Sequence, residues 1–419
     1  MDPSLLTLPC GTTAADKISH VPIDSFLLSA ARTPIGRYGG GLKNIHPSEL
    51  GAVAGRAAVE RASLPPELVD LVIVGHARQA GSGPNPARQV GRRMGLGDHV
   101  PAWTLNQACA SGLQAVASAA QAIAAGDAEV VVAGGIESMS RMPYLIDADD
   151  ARWGHKMGHF PLVDAMYRDG FRCSLSGLIM GETVELLARE YGITREQSDH
   201  YACESQRRAE EARKAGRFAA EIAPVRVPGA KGETTIAVDE HPRPGTTLEA
   251  LAQLPLVFPE VDGGPGIITA GSSSGITDGG AAVIVAGATA VREHGLRPVA
   301  RILGWATAGV DPTRMGIGPV PAVHKLLARL QLNLDDFDLV ELNEAFAPQV
   351  LAVLTDLAID RDRLNVNGGA IALGHPIGCT GTRILVTLVH EMHRRHARRG
   401  LATLCVSGGL GVAMAVERC

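Results

Sequence analysis

The sequence has few aromatic residues, no closely paired cysteines and no excess of basic residues, and each shortage excludes a class of protein. Aromatic residues make up 4% of the 419 residues although 46% are hydrophobic, so the core must consist mainly of Ala, Val, Leu and Ile. The seven cysteines form no C-x-x-C pair, which argues against a disulfide framework and a zinc site and favours a reducing, cytoplasmic environment. The net charge of −5 carries no sign of nucleic-acid binding, and we expect no apolar run of membrane-spanning length.

Short Val- and Ile-rich runs alternate with Ala-rich helical stretches along most of the chain. Residues 25–30, 71–75 and 127–135 have the continuous apolar character of buried strands, and residues 49–62 and 110–125 that of helices. Runs of this kind are typical of parallel strands that are covered on both faces. The pattern therefore predicts an α/β protein, and the 49 glycines permit close packing between its elements.

The second part of the chain repeats the plan of the first. Residues 332–343 align with residues 64–75, which sets Asp338 opposite Asp70, and residues 402–409 align with residues 128–135. A duplication of this period predicts two similar halves related by a pseudo-dyad, with their matching turns meeting at the centre.

The repeat suggests how the chain divides. We predict an N-terminal tail at 1–24, a first half formed by 25–144 plus 263–293, an inserted domain at 145–262 and a second half at 294–419. The insertion is richer in charge and Met and contains an amphipathic helix predicted at 195–213. Insertions of this length commonly serve ligand binding or assembly.

Cys109 lies where a polar turn enters an Ala-rich helix. Backbone N–H groups of a first helical turn and the helix dipole favour a thiolate, so Cys109 is a candidate nucleophile. The alternative is a small buried core residue, which is the commoner role of a free cysteine.

Other turns carry further candidates. His375 lies in a glycine-rich turn, Asn343 follows a predicted strand, and Cys405 ends another. Each has an ordinary alternative: an exposed loop histidine, a helix cap and an inert core thiol. The repeat brings these turns together, and the set resembles an acyl-transfer site with one nucleophilic thiol and a second thiol that transfers protons.

Seven motifs in the same order resemble the thiolase family, the acetyl-CoA C-acyltransferases and 3-ketoacyl-CoA thiolases. They are SAARTPIG at 29–36, NQACASG at 106–112, GIESMS at 135–140, GIGPVP at 316–321, NEAF at 343–346, GHPIG at 374–378 and CVSGG at 405–409. The resemblance implies a five-layered αβαβα sandwich of two duplicated halves, in which the inserted loop domain binds CoA and contributes oligomer contacts.

The resemblance also implies a mechanism and its residues. His375 would deprotonate Cys109, which attacks the keto carbonyl of a 3-ketoacyl-CoA. Cys405 would protonate the acetyl-CoA enolate, whose oxygen is held by His375 and a water on Asn343, and backbone N–H groups of Cys109 and Ser407 would form the oxyanion hole. No metal or redox cofactor is implied, because CoA and acetyl-CoA are substrates.

The CoA contacts carried over from the family are Ser274, Arg243 near the adenine and Met180 in the acyl pocket. Two positions depart from the family pattern. Ser407 stands where glycine is usual, which could restrict the backbone, and Ile179 stands where acetoacetyl-CoA-specific members resemble one another in having histidine. The second departure leaves room for longer or unusual acyl chains.

Two other functions remain open at this level, a ketoacyl-synthase-like condensing enzyme and a non-catalytic CoA-binding relative. Cys405 and the long insertion argue against the first, and the presence of Cys109 and His375 argues against the second. We expect a cytoplasmic homodimer or homotetramer of fatty acid metabolism that acts on CoA thioesters and binds neither membrane nor nucleic acid. The residues leave chain length, favoured direction and dimer versus tetramer open.

Overall fold

Ten strands of this protein form one mixed sheet, and most of its long helices cover or separate the two halves of that sheet. The computed structural model describes residues 24–229 and 232–419. Nearly all of the tail predicted at 1–24 therefore lies outside the described residues. The sheet has the strand order β14-β15-β16-β13-β1-β12-β5-β3-β4, and β2 pairs with β12.

Most strands of the two halves are longer than those of the insertion. The first half and the insertion contain β1 Ser25–Arg32, β2 Gly36–Arg37, β3 Leu71–His76, β4 Ala102–Leu105, β5 Val130–Ser138, β6 Tyr144–Leu145, β7 Val163–Asp164, β8 Val225–Gly229, β9 Gly232–Ile236, β10 Glu260–Val261, β11 Gly264–Pro265 and β12 Thr277–Gly287. The second half contains β13 Ala300–Gly309, β14 Leu339–Leu342, β15 Arg399–Val406 and β16 Leu410–Arg418.

Helices connect the strands and build most of the insertion. They are α1 Pro47–Arg61, α2 Pro86–Met94, α3 Ser111–Ala125, α4 Ala148–Arg152, α5 Met180–Glu190, α6 Arg195–Lys214, α7 Leu248–Ala252, α8 Ala288–Glu293, α9 Pro319–Leu330, α10 Ala347–Asp356, α11 Ala370–Leu373 and α12 Ile377–Arg395. Thr194 caps α6, where its hydroxyl accepts from the Gln197 N–H and the Gln197 side chain accepts from the Thr194 N–H. The predicted helix at 195–213 is thus confirmed.

The expectation of parallel strands holds only in part. Parallel pairs join β3 to β4, β3 to β5 and β14 to β15, whereas the pairs of β12 with β1 and β5, and of β16 with β13 and β15, are antiparallel. The apolar runs are continuous because both faces of the sheet are buried, and burial of both faces does not fix strand direction.

Two aspartates show the duplication at the level of single hydrogen bonds. Asp70 Oδ2 accepts from the N–H groups of Glu129 and Val130 at 2.8 and 2.9 Å. Asp338 Oδ2 accepts from the N–H groups of Arg398 and Arg399 at 2.7 and 2.9 Å. The strand order repeats as well, since β3-β5-β12-β1 in one half corresponds to β14-β15-β16-β13 in the other.

Three hydrophobic clusters define five layers. One cluster lies between the outer helices α1 and α2 and the first half of the sheet, and another lies between the second half and the outer helices α9 and α10. The third surrounds α3 and α12, which lie between the two halves of the sheet. The chain is therefore an αβαβα sandwich, as expected.

Helix α3 belongs to this central layer although the segment Ala108–Ala125 is long and apolar enough to cross a membrane by composition. The expectation that no apolar run reaches membrane-spanning length is therefore wrong, since this segment does so by length and composition. The segment is apolar because both sides of the helix face apolar layers of the sandwich.

Close contact between α3 and α12 brings the two central turns together. A Cβ atom on Gly112 would lie 2.6 Å from the Thr382 hydroxyl oxygen, and one on Gly381 would lie 2.4 Å from the Leu113 nitrogen. Larger residues at these two positions would separate the helices. The turns that carry Cys109 and His375, which precede these helices, therefore meet at the centre of the molecule.

Candidate active site

The turn before α3 holds Cys109 in a strained backbone. Ala108 has φ of +45°, in the left-handed region that residues with a side chain rarely occupy. Asn106 Oδ1 accepts from the Ala108 N–H at 2.8 Å, and the Ser111 hydroxyl donates to the Ala108 carbonyl at 2.7 Å. Polar side chains on both sides thus maintain the conformation that presents the sulfur.

The three central candidates line one cavity of about 630 Å³: Cys109, His375 and Cys405. The same cavity is lined by Met180, Arg243, Ser274 and Ser407. Seven of the eight site residues expected from the sequence are therefore brought together, and only Asn343 does not line the cavity.

Cys109 is a thiol at rest. Burial raises the pKa of Cys109, while the charge of Arg78 and the backbone N–H groups of Ser407 and Cys109 itself act in the opposite direction. The expected stabilisation of the thiolate by local N–H groups is present, but burial outweighs it, and the sequence pattern of a helix start does not reveal burial. A base is therefore needed to form the nucleophile.

His375 has the geometry of that base. Its Nδ1 lies 2.6 Å from the Thr380 hydroxyl oxygen, and this hydroxyl donates to the Pro376 carbonyl at 3.0 Å. Because the hydroxyl proton is donated to Pro376, the hydroxyl oxygen can only accept from Nδ1–H of the ring. The ring proton therefore lies on Nδ1, and Nε2 carries a free lone pair. Nε2 is buried and has no hydrogen-bond partner among residues 24–229 and 232–419.

Burial, together with the charges of Arg383 and Arg78, lowers the pKa of His375 to about 3. The ring is therefore neutral near pH 7 and able to accept a proton.

Cys405 lies in a setting suited to a proton donor. It is almost completely buried, and burial, with the proximity of Cys109, raises the pKa of Cys405 well above its ordinary value. The thiol form therefore persists near neutral pH. Cys379, which is close to His375 in sequence, is instead buried in the central hydrophobic cluster and does not line the cavity.

Asn343 is buried and is absent from the residues that line the cavity. Both polar atoms of its side chain are buried and lack a hydrogen-bond partner within the described ranges. The next residue, Glu344, is held firmly: its carboxylate accepts from the Tyr201 hydroxyl at 3.0 Å, the Ser205 hydroxyl at 2.6 Å and the Ile371 N–H at 3.1 Å. Helix α6 of the insertion thereby anchors the loop that carries Asn343.

Ser407 does not strain the backbone. The neighbours with positive φ are Gly408 at +86° and Gly409 at +83°, and Ser407 is absent from the positive-φ residues found in the described chain. The concern that a side chain here restricts φ is therefore wrong. The backbone N–H groups of Ser407 and Cys109, the two expected for the oxyanion hole, both act to lower the pKa of the Cys109 thiol.

Sequence reasoning missed three residues around this centre. Thr380 orients His375 from the first turn of α12, and Arg78 lines the cavity. Glu137 is buried beneath the site, where its carboxylate accepts from the Gly378 N–H at 2.9 Å and lies 3.0 Å from His76 Nε2. Glu137 lies within the GIESMS motif, and Thr380 lies two residues after the GHPIG motif, so both could have been found from their positions in the sequence. No motif contains Arg78.

Comparison with known proteins gives consistent results across the chain. Residues 25–289 match the family model for the thiolase N-terminal domain, and residues 296–418 match that for the thiolase C-terminal domain. The acetyl-CoA acetyltransferase of Cupriavidus necator is 51% identical over 396 residues, which are 94% of this chain and 99% of that protein.

Solved structures agree with these sequence matches. The Bacillus anthracis acetyl-CoA acetyltransferase superposes with a TM-score of 0.91 at 43% identity and covers 94% of this chain and 99% of its own. Human mitochondrial 3-ketoacyl-CoA thiolase in complex with CoA superposes with a TM-score of 0.89 at 43% identity, over 94% of this chain and 98% of its own.

Proposed function

Because this chain belongs to the thiolase family, we propose that it catalyses the reversible thiolysis of 3-ketoacyl-CoA, and in reverse the Claisen condensation of two acyl-CoAs, through an acyl group on Cys109. The observation that carries this proposal is the convergence of Cys109, His375 and Cys405 on one cavity. The acetyl-CoA acetyltransferase and 3-ketoacyl-CoA thiolase names of its relatives agree with this reaction class.

The first half-reaction begins with proton transfer from the Cys109 thiol to Nε2 of His375. The thiolate attacks the 3-keto carbonyl, and the resulting oxyanion is held by the backbone N–H groups of Cys109 and Ser407. The bond between C2 and C3 then breaks, leaving the acyl group on Cys109 as a thioester. The electron pair of that bond becomes the enolate of acetyl-CoA.

Cys405 completes this half-reaction by donating its proton to the enolate carbon, which releases acetyl-CoA. The enolate oxygen is held by His375 and by a water oriented by Asn343, whose amide has no partner within the described chain. In the second half-reaction the thiol of CoA attacks acyl-Cys109, and the new acyl-CoA leaves as the sulfur of Cys109 departs. The Cys405 thiolate takes up the proton of the CoA thiol, and the departing Cys109 sulfur recovers its proton from the His375 imidazolium.

Three residues that line the cavity are assigned to the CoA contacts. Met180 packs in the same hydrophobic cluster as Cys405 and is assigned to the acyl and pantetheine arm. Ser274 and Arg243 also line the cavity. The Ser274 N–H donates to the Ala345 carbonyl at 3.0 Å. We assign Arg243 to the nucleotide end of CoA.

The proposed assembly is a homodimer or homotetramer in the cytoplasm, with a role in fatty acid metabolism. Support for self-association comes from large apolar side chains on the surface of the insertion, where Trp153 is 77% exposed, Met157 91% and Leu162 61%. Apolar surface of this kind commonly marks an interface. The cysteines, all of them free in the described residues, agree with a reducing compartment.

Thiolysis of 3-ketoacyl-CoAs of increasing chain length by purified protein tests the proposal. We expect the wild-type protein to consume at least one of these substrates in a CoA-dependent manner and Cys109→Ala to lose this activity. Cys379→Ala is the matched control, because this thiol lies in the core and does not line the cavity. Equal activity of wild type and Cys109→Ala would overturn the assignment of the nucleophile.

A further inference from the structure

Arg78 places inside the protein a positive charge that has no ion-pair partner among the described residues. The residue is only 7% exposed, and its Nε atom is buried without a hydrogen-bond partner. Among the described residues no ion pair or hydrogen bond involves its guanidinium group, and only its backbone N–H is engaged, donating to Glu137. A buried guanidinium is costly to maintain unless an anion pairs with it.

The nearby carboxylates are engaged elsewhere or stand apart. Glu137 lies against His76 and accepts from the Gly378 N–H. Asp169 lines the neighbouring cavity but is not within ion-pair distance of Arg78 in the part of the chain that the structure describes. Arg78 therefore has no counterion among the residues that the structure describes, and the cavity leaves its guanidinium available to an anionic ligand.

Arg78 lies at the junction of two cavities. One is the catalytic cavity, and the other, also of about 630 Å³, shares Arg78, Gly170 and Ser407 with it. The second cavity is further lined by Arg168 and Arg172 and by one acidic residue, Asp169. A polar and positively charged chamber thus continues from the reaction centre.

The position of Arg78 indicates which end of a ligand it meets. Arg78 lines the same cavity as Cys109 and His375, and its charge acts to lower the pKa of each, which places it at the reacting end of the substrate. The phosphates of CoA are separated from that end by the pantetheine arm. An anion beside Arg78 therefore belongs to the acyl group.

On the basis of the function proposed above, we propose that this second cavity receives the acyl chain of the substrate and that Arg78 binds a carboxylate at the end of that chain. The preferred substrate class is thus a 3-ketoacyl-CoA with a second, terminal carboxyl group. Arg168 and Arg172 make the chamber attractive to this group, although Arg168 also pairs with Asp147 at 2.6 Å and Arg172 donates to the Gly177 carbonyl at 3.1 Å. Arg78 is a specificity-determining residue in this assignment.

A matched pair of substrates tests the proposal: 3-oxohexanoyl-CoA and the six-carbon analogue in which a carboxyl group replaces the terminal methyl group. We expect the wild-type kcat/KM for thiolysis to favour the carboxylated substrate by about tenfold or more, as a charge-assisted hydrogen bond allows. Arg78→Leu should abolish the preference and Arg78→Lys should retain part of it. Arg292→Leu, which removes an exposed arginine from α8, is the matched control and should keep the wild-type ratio.

Each outcome decides the proposal. A wild-type ratio of one or below overturns it, and this measurement needs no variant to fold. If Arg78→Leu lowers both rates equally and leaves the ratio unchanged, Arg78 acts on the chemistry and the substrate assignment is wrong. Cleavage of the uncharged substrate alone would refute the carboxylate site and leave the thiolase function standing, whereas cleavage of neither substrate, nor of any other 3-ketoacyl-CoA, would refute both.

Discussion

The hydroxyl of Thr380 lies 2.6 Å from Nδ1 of His375 and determines which nitrogen of the ring is free to act. Because the hydroxyl proton is donated to the Pro376 carbonyl, the ring carries its own proton on Nδ1 and presents the Nε2 lone pair. The nucleophile, which rests as a thiol, thus depends on a base whose tautomer is fixed by one residue in the first turn of α12.

Replacement of Thr380 by valine should therefore reduce kcat while the fold is retained. We expect a loss of about tenfold to a hundredfold, the range found for partners that orient metal-binding histidines. Thr380→Ser keeps the hydroxyl and should retain most of the activity. If the methyl group mattered only for packing, Thr380→Ser would instead be the more damaging of the two changes. An unchanged kcat in Thr380→Val would exclude the orienting role.

The pH dependence of kcat/KM should lack the acidic limb of an ordinary histidine. The pKa of His375 is lowered to about 3 from 6.5, so the base remains unprotonated as the pH falls from neutral. Activity controlled by this group should be lost only near the lowered value, and no decline with an apparent pKa near the ordinary one should appear between about pH 5 and pH 7. Stopped assays over this range, with circular dichroism at each pH to confirm folding, provide the measurement. A limb centred on the ordinary histidine pKa would contradict the buried, neutral base.

The duplicated aspartates should contribute equally to stability. Asp70→Ala and Asp338→Ala each remove an exposed acceptor of two backbone N–H groups, and we expect each to lower the free energy of unfolding by about 1 kcal/mol. Because the two sites are in different halves, their effects should add within about 0.5 kcal/mol in the double variant. Urea unfolding measures this, with Asp127→Ala as an exposed acidic control. A loss confined to one aspartate would show that the two turns are not equivalent.

The repeat and the central turns could be predicted from the sequence because they depend on local patterns. The equivalence of Asp70 and Asp338 in the repeat followed from aligning apolar runs. The turn before α3 followed from a polar segment that enters an Ala-rich helix. Cys109, His375 and Cys405 were then linked by the repeat and by family motifs, and the structure places all three around one cavity.

Other features depend on tertiary surroundings that a local pattern does not contain. Strand direction is one, because buried strands look alike whether parallel or antiparallel. The resting state of Cys109 is another, since burial decides its pKa against the N–H groups that the helix start supplies. Arg78 belongs to no motif, and its importance appears only when its burial and its lack of a partner within the described residues are known.

The account depends above all on a division of labour between two thiols, in which Cys109 carries the acyl group and Cys405 moves a proton on carbon. The most direct test is mass spectrometry of Cys405→Ala incubated with acetyl-CoA in deuterated water, read for acetylation of the peptide that contains Cys109 and for deuterium in the acetyl group. The account predicts that this peptide is acetylated while the acetyl group gains no deuterium, whereas the wild-type protein shows both. An unacetylated Cys109 peptide, or deuterium uptake equal to that of the wild type, would contradict it.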